Sequence, residues 1–171
     1  MEKKQTHLIY GLVTGIIMVV VGVSIYIAGA AFIKGMQYVS YIPFLVGLIL
    51  NGAAYSKAND GYVTFGNVFG SCFKAAMITT IIMIVWSITS VYVFPEMKVK
   101  ALAMIQEEMA KNPKVTEDQI DTYVNMFKNH WTVITIGIVI FGNLIYGAIF
   151  SLIGAAIAKK KGPLPITSDN F

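Results

Sequence analysis

Four long apolar runs dominate the chain, at about residues 8–33, 38–55, 69–94 and 131–158, with polar segments between them. About 20 helical residues cross the ~30 Å of a bilayer's hydrocarbon, so each run is long enough to span. The first run has a rival reading as a cleaved signal peptide, with Lys3 and Lys4 before it and the small residues Ala28-Gly29-Ala30 late in it. The apolar stretch ahead of that site is about 20 residues, against the usual 7–15, which favours a retained span. Tyr38 and Tyr55 bracket the second run at positions suited to the two interfaces, and Pro43 sits in its first turn, where a missing amide donor costs little. Lys74 lies near one end of the third run, within reach of headgroups for a long side chain.

The polar segments carry their own signals. Ser56-Lys57-Ala58-Asn59-Asp60-Gly61 predicts a turn that divides the spans into two pairs. Residues 96–130 switch to a charged, helix-favouring composition, with Leu102, Ile105 and Met109 on one face and Glu107, Glu108 and Lys111 on the other. Asn112-Pro113 interrupts that helix, and Thr116-Glu117-Asp118-Gln119 has the form of a capping box that starts another. Ile120, Tyr123, Val124, Phe127 and Trp131 recur at helical spacing, so this second helix is expected to run unbroken into the fourth span. Lys159-Lys160-Lys161 stops it. The expected fold class is all-α: an integral membrane four-helix bundle, residues 1–171 forming one membrane domain, with an extramembrane helical hairpin over 95–130 between spans 3 and 4.

Composition supports this. Of the 171 residues 56% are hydrophobic and 13% charged, against roughly 25% charged in soluble chains. The formal charge of +4 invites a nucleic-acid reading, but all thirteen basic residues are lysine and lie scattered between apolar runs. Recognition of phosphates and base edges favours guanidinium groups gathered on one face, so no nucleic-acid partner is expected. The Lys3-Lys4 pair and the Lys159–Lys161 triplet abut span ends, whereas the lysines of 95–130 are interspersed with acids. By the positive-inside rule both termini are expected in the cytoplasm.

Candidate chemistry is sparse. Cys72 is the only cysteine, which removes intrachain disulfides and cysteine-built metal sites. His7 and His130 are expected at opposite membrane faces, and the acids Glu107, Glu108, Asp118 and Asp121 lack the spacing of a calcium loop. There is no phosphate loop, nucleophile elbow or HExxH pattern. The sequence therefore predicts a protein that is not an enzyme, with no catalytic residue, cofactor or metal site. Within the predicted spans no Asp, Glu, His or Arg occurs, although proton-coupled carriers generally place an ionisable group there. Small multidrug transporters share the four-span plan, but their acidic residue has no counterpart.

What the spans do contain is small and polar. Asn143, Gly147, Ser151 and Ala155 recur every fourth residue in the last span, and Gly11 and Gly15 form a GxxxG in the first. Such stripes line close helix contacts, either within a monomer or between copies, and packing within the monomer is the more frequent case. In the central loop Asn59, Asp60 and Gly61 turn the chain, and Tyr62 and Phe65 follow as interfacial aromatics and a candidate partner surface.

The segment Tyr55-Ser56-Lys57-Ala58-Asn59-Asp60-Gly61-Tyr62-Val63-Thr64-Phe65-Gly66 resembles the characteristic stretch of bacterial domain-of-unknown-function family 4199. The Asn-Pro break, the acidic capping turn and the final Ala-Ile-Ala-Lys-Lys-Lys extend the likeness over nearly the whole chain. The resemblance implies a small four-span protein of the bacterial inner membrane and supplies no activity, cofactor or catalytic residue. The functional expectation is a non-enzymatic module that meets the lipid bilayer and binds a protein or lipid partner. An oligomeric small-solute transporter or channel component is the alternative.

Overall fold

The computed structural model describes residues 4–162. Among the described residues there are six α-helices and no strand: α1 (His7–Ile27), α2 (Tyr41–Ala58), α3 (Phe65–Val93), α4 (Pro95–Ala110), α5 (Glu117–Asn129) and α6 (Trp131–Ile157), with a 3-10 turn at Met36–Ser40 before α2. Four helical stretches, α1, Tyr38–Ala58, α3 and α6, are long and apolar enough to cross a membrane.

Several boundaries differ from the sequence reading. The first apolar run is helical only to Ile27, because Gly29 takes a left-handed conformation (φ 71°) and Gly35 another (φ 90°), so residues 28–40 turn instead of continuing the span. Helix α2 runs past Tyr55 to Ala58. Helix α3 starts at Phe65, four residues before the predicted 69, since Thr64 and Asn67 cap it reciprocally: Asn67 N–H donates to Thr64 Oγ1 (3.2 Å) and Thr64 N–H to Asn67 Oδ1 (3.2 Å). The expected continuous helix through 130 is broken. His130 leaves helical geometry (φ −112°, ψ 22°) and separates α5 from α6, at an Asn-His pair of weak helix formers.

The chain divides into two compact units, residues 4–82 with 142–162 and residues 83–141. In the first unit each helix buries one stripe: Gly11, Thr14, Gly15 and Met18 of α1, Phe44, Gly47, Leu48, Asn51, Gly52, Tyr55 and Ser56 of α2. Helix α3 buries Ser71, Cys72, Ala75, Ala76, Thr79 and Thr80, and α6 buries Asn143, Gly147, Ser151, Gly154 and Ala155. Large aliphatics such as Leu8, Ile9, Ile16, Val46, Leu50, Ile81, Ile145 and Ile149 are exposed. This distribution, small and polar inside and aliphatic outside, inverts that of a water-soluble core and suits a hydrocarbon surround.

The second unit holds α4 and α5 with the adjoining parts of α3 and α6. Pro95 opens α4 at its first turn, where proline is pre-organised. Lys98 Nζ donates to the Lys128 carbonyl (3.1 Å) and lies 6.0 Å from the Trp131 ring centre. The Glu108 and Glu107 carboxylates, 2.9 and 3.1 Å from Lys111 Nζ, hold that ammonium above the ordinary lysine range. Helix α5 starts on the predicted capping box, with Gln119 N–H donating to Thr116 Oγ1 (3.4 Å) and Thr116 N–H to Gln119 Oε1 (3.0 Å). Thr116→Ala will remove the bond that Thr116 Oγ1 accepts, while the backbone N–H of residue 116 keeps Gln119 Oε1, at a local cost of about 1 kcal/mol. Amide hydrogen exchange across residues 117–123 should accelerate roughly fivefold, and unchanged exchange would show that the cap contributes nothing.

Candidate functional site

The polar chemistry of the first unit gathers where the central loop lies. Helix α2 ends there in a Schellman motif: Gly61 N–H donates to the Ser56 carbonyl (2.9 Å) and Asp60 N–H to that of Lys57 (3.1 Å), with Asp60 itself left-handed at φ 54°. Gly61 follows at φ 80°, a conformation that disfavours any side chain. The turn therefore needs the small, locally hydrogen-bonding residues that the sequence supplies.

Two chain segments are stitched to this turn. Asn59 reads the backbone of Lys4 in both directions, Oδ1 accepting from Lys4 N–H (2.9 Å) and Nδ2 donating to the Lys4 carbonyl (3.1 Å). Ser56 Oγ donates to the Lys159 carbonyl, and Lys161 N–H donates to the Gly61 carbonyl (2.7 Å). Beneath the turn Val63 is fully buried with Tyr55, Val68, Cys72, Ala155 and Ala158, and Phe69 packs against that cluster. Residues before α1 and after α6 thus meet at one loop.

The same end carries the lysines. Lys160 Nζ lies 2.5 Å from the Ala155 carbonyl and 2.7 Å from that of Ala158, capping the otherwise unpaired C-terminal carbonyls of α6. Its ammonium is 5.9 Å from the Phe65 ring centre, and that of Lys161 is 5.3 Å from Tyr62. The expected interfacial aromatics are therefore partners of the terminal lysines. A cleft of about 730 Å³ opens between the ends of α2 and α6, lined by Ala53, Ser56, Lys57, Asp60, Ile157 and Lys159 together with Gly61, Ala158, Lys160 and Lys161. A second, more polar hollow of about 310 Å³ includes His7, Tyr55, Asn67, Ser71 and Lys74.

The two small-residue motifs lie elsewhere. A Cβ at Gly11 would stand 2.8 Å from the Ala75 carbonyl oxygen, and one at Gly15 would run into Ile82, so the GxxxG of α1 is seated on α3. Gly147 faces Ala76 and Phe44, and Asn143, Ser151 and Ala155 are buried with it. Ser151 Oγ is the buried side-chain polar atom without a hydrogen-bond partner among the described residues. Of the two motifs only Ala155 reaches the core beneath the loop, and both stripes are occupied by helices of the same chain.

Two further features join the helices of this unit. Asn51, fully buried on α2, accepts from Thr6 Oγ1 (2.7 Å) and donates to Ser71 Oγ (3.2 Å) and Cys72 Sγ (3.7 Å), joining the residues ahead of α1 to α2 and α3. Gly52 and Gly154 mark where α2 and α6 cross backbone to backbone. A Cβ at Gly52 would stand 2.8 Å from the Gly154 carbonyl oxygen, and one at Gly154 would stand 2.9 Å from that of Leu48, with Cys72 Sγ 3.2–3.3 Å away from each. The signal was present as Gly147, Ser151 and Gly154 at i, i+4 and i+7, one helical seam.

Among the described residues no group of three or more His, Cys, Asp or Glu side chains converges as a metal site would require. The family model described as "Protein of unknown function (DUF4199)" matches residues 9–160. No curated protein and no solved structure matches the chain.

Proposed function

The chain belongs to the DUF4199 family, whose description assigns no activity, and from that premise we propose a non-enzymatic module of the bacterial inner membrane that binds a partner at its central loop. In this reading α1, α2, α3 and α6 span the bilayer, both termini are cytoplasmic, and α4 with α5 stands outside the membrane on the far side. The observation that carries it is the cleft beside the loop. Four lysines and a carboxylate line an open, ligand-sized space at the ends of two apolar helices, and pockets of roughly 300–1,000 Å³ are typical of bound small groups. Among the described residues the cleft lining holds no His, Cys or Glu, which supports binding over turnover.

Crosslinked affinity purification from native bacterial membranes, followed by identification of both proteins and lipids, tests this. The expected result is a stoichiometric partner that is recovered with the native chain and lost when Tyr62 and Phe65 are both replaced by alanine. A chain recovered alone, or a partner indifferent to those two replacements, overturns the proposal.

A further inference from the structure

We propose that the cleft between the ends of α2 and α6 receives the phosphate of an anionic phospholipid headgroup, with Lys57, Lys159 and Lys161 as its contacts. This rests on the partner-binding reading of the loop and names the partner's chemistry. The walls change character along the cleft: exposed Ala53 and Ile157 belong to the apolar helices, while the lysines lie at their ends. That sequence of apolar wall and cationic rim matches a lipid, whose acyl chains and phosphate are joined in the same order across the interface.

Charge decides the sign of the ligand. Lys57, Lys159, Lys160 and Lys161 face Asp60 and the C-termini of α2 and α6. Each helix end carries about half a negative charge, so the lining keeps a net of about two positive charges. The lysines divide the work. Lys160 is committed to the α6 carbonyls, which neutralises that helix end and leaves the others for a ligand. Among the described residues the ammoniums of Lys57 and Lys159 have no hydrogen-bond or ion-pair partner, and both side chains are exposed. Lys161 is anchored from two sides, by its backbone bond to Gly61 and by Tyr62 beneath its ammonium. Gly61 permits this, because a Cβ there would press on the Lys161 stem at 3.2 Å. Lysine serves such a site as a mobile point charge, matched to a phosphate diester that needs no fixed fork.

Native mass spectrometry of the detergent-solubilised full chain, supplied in turn with phosphatidylglycerol, phosphatidylcholine and inorganic phosphate, reads the assignment. Phosphatidylglycerol should be retained at least tenfold better than phosphatidylcholine, and retention should fall with added salt. Replacing Lys57, Lys159 and Lys161 together by glutamine should weaken it about 100-fold, roughly fivefold for each lysine. The matched triple Lys111→Gln, Lys114→Gln and Lys128→Gln removes the same charge in the other unit and should leave it unchanged. Equal retention of the two lipids, salt-independent retention, or equal losses in both triples overturns the proposal. Displacement of phosphatidylglycerol by millimolar inorganic phosphate would assign the site to free phosphate and likewise overturn it. The salt series on the native chain gives the answer even if the cleft triple does not fold. A failed lipid assay with a protein still recovered through Tyr62 and Phe65 refutes this inference alone, whereas loss of both refutes the partner-binding reading too.

Discussion

Gly154→Ala will cost the detergent-solubilised chain about 2–3 kcal/mol, the upper range of overpacking penalties, lowering its unfolding midpoint by about 5–10 °C. The added methyl meets a backbone carbonyl, that of Leu48 at 2.9 Å, so no side-chain rotation relieves it. Cys72 blocks the sideways escape, since its Sγ lies 3.3 Å from the same point and its thiol is fixed on that carbonyl at 3.3 Å. The helices must part, and the dispersion contacts along the whole α2–α6 seam weaken together. Those contacts include Tyr41 with Tyr146 and Phe44 with Phe150, at ring separations of 4.3 and 5.6 Å. Gly70→Ala supplies the control. It sits in the interior of α3 with open space around it, and alanine is the better helix former by up to about 1 kcal/mol. Thermal unfolding of both variants should therefore move in opposite directions, and a Gly154→Ala chain as stable as the native one would mean that α2 and α6 do not cross there.

Asn51→Leu will destabilise the first unit by about 1–2 kcal/mol although the two side chains have the same number and branching of heavy atoms. The exchange keeps the branched outline of the side chain and removes the acceptor of Thr6 and the donor to Ser71 and Cys72. Ser71 and Thr6 can recover partly by bonding to carbonyls or water, which is why the cost stays below that of a stranded amide. A double-mutant cycle with Ser71→Ala isolates the shared part. A coupling of about 0.5–1.5 kcal/mol is expected, and additive losses would remove the Asn51–Ser71 bond from the account.

The features legible in the sequence are those written within a few residues. Helices announce themselves by apolar run length, the α5 start by Thr116 and Gln119, the central turn by Asn59, Asp60 and Gly61, and the family by that same loop. The missed α3 start has the same logic with Asn67 in the place usually held by Glu or Gln, so the pattern sought was too narrow. Asn51 could be seen as polar, but its partners come from two other places in the chain. Gly154 stands out locally only by its helical spacing from Gly147 and Ser151, and what excludes a Cβ there is Leu48, a residue far away in sequence. Lys160 read as a topology signal, and its second role as the cap of α6 depended on where the chain turned after Ile157.

The stitching of Lys159 and Lys161 to the central loop also orders events in time. Ser56 and Lys159 are 103 residues apart, and a chain emerging from the ribosome completes α1, α2 and the first turns of α3 well before α6 exists. Thr6, Asn51 and Ser71 can join at that stage, since the hydrogen bonds among them need nothing downstream. The notch at Gly52 cannot close until Gly154 arrives, and the cleft rim cannot be built until the lysine triplet follows it. A nascent chain that ends before residue 142 therefore lacks the α6 side of this seam and leaves the α2 face, Phe44 and Leu48 included, without its α6 neighbours.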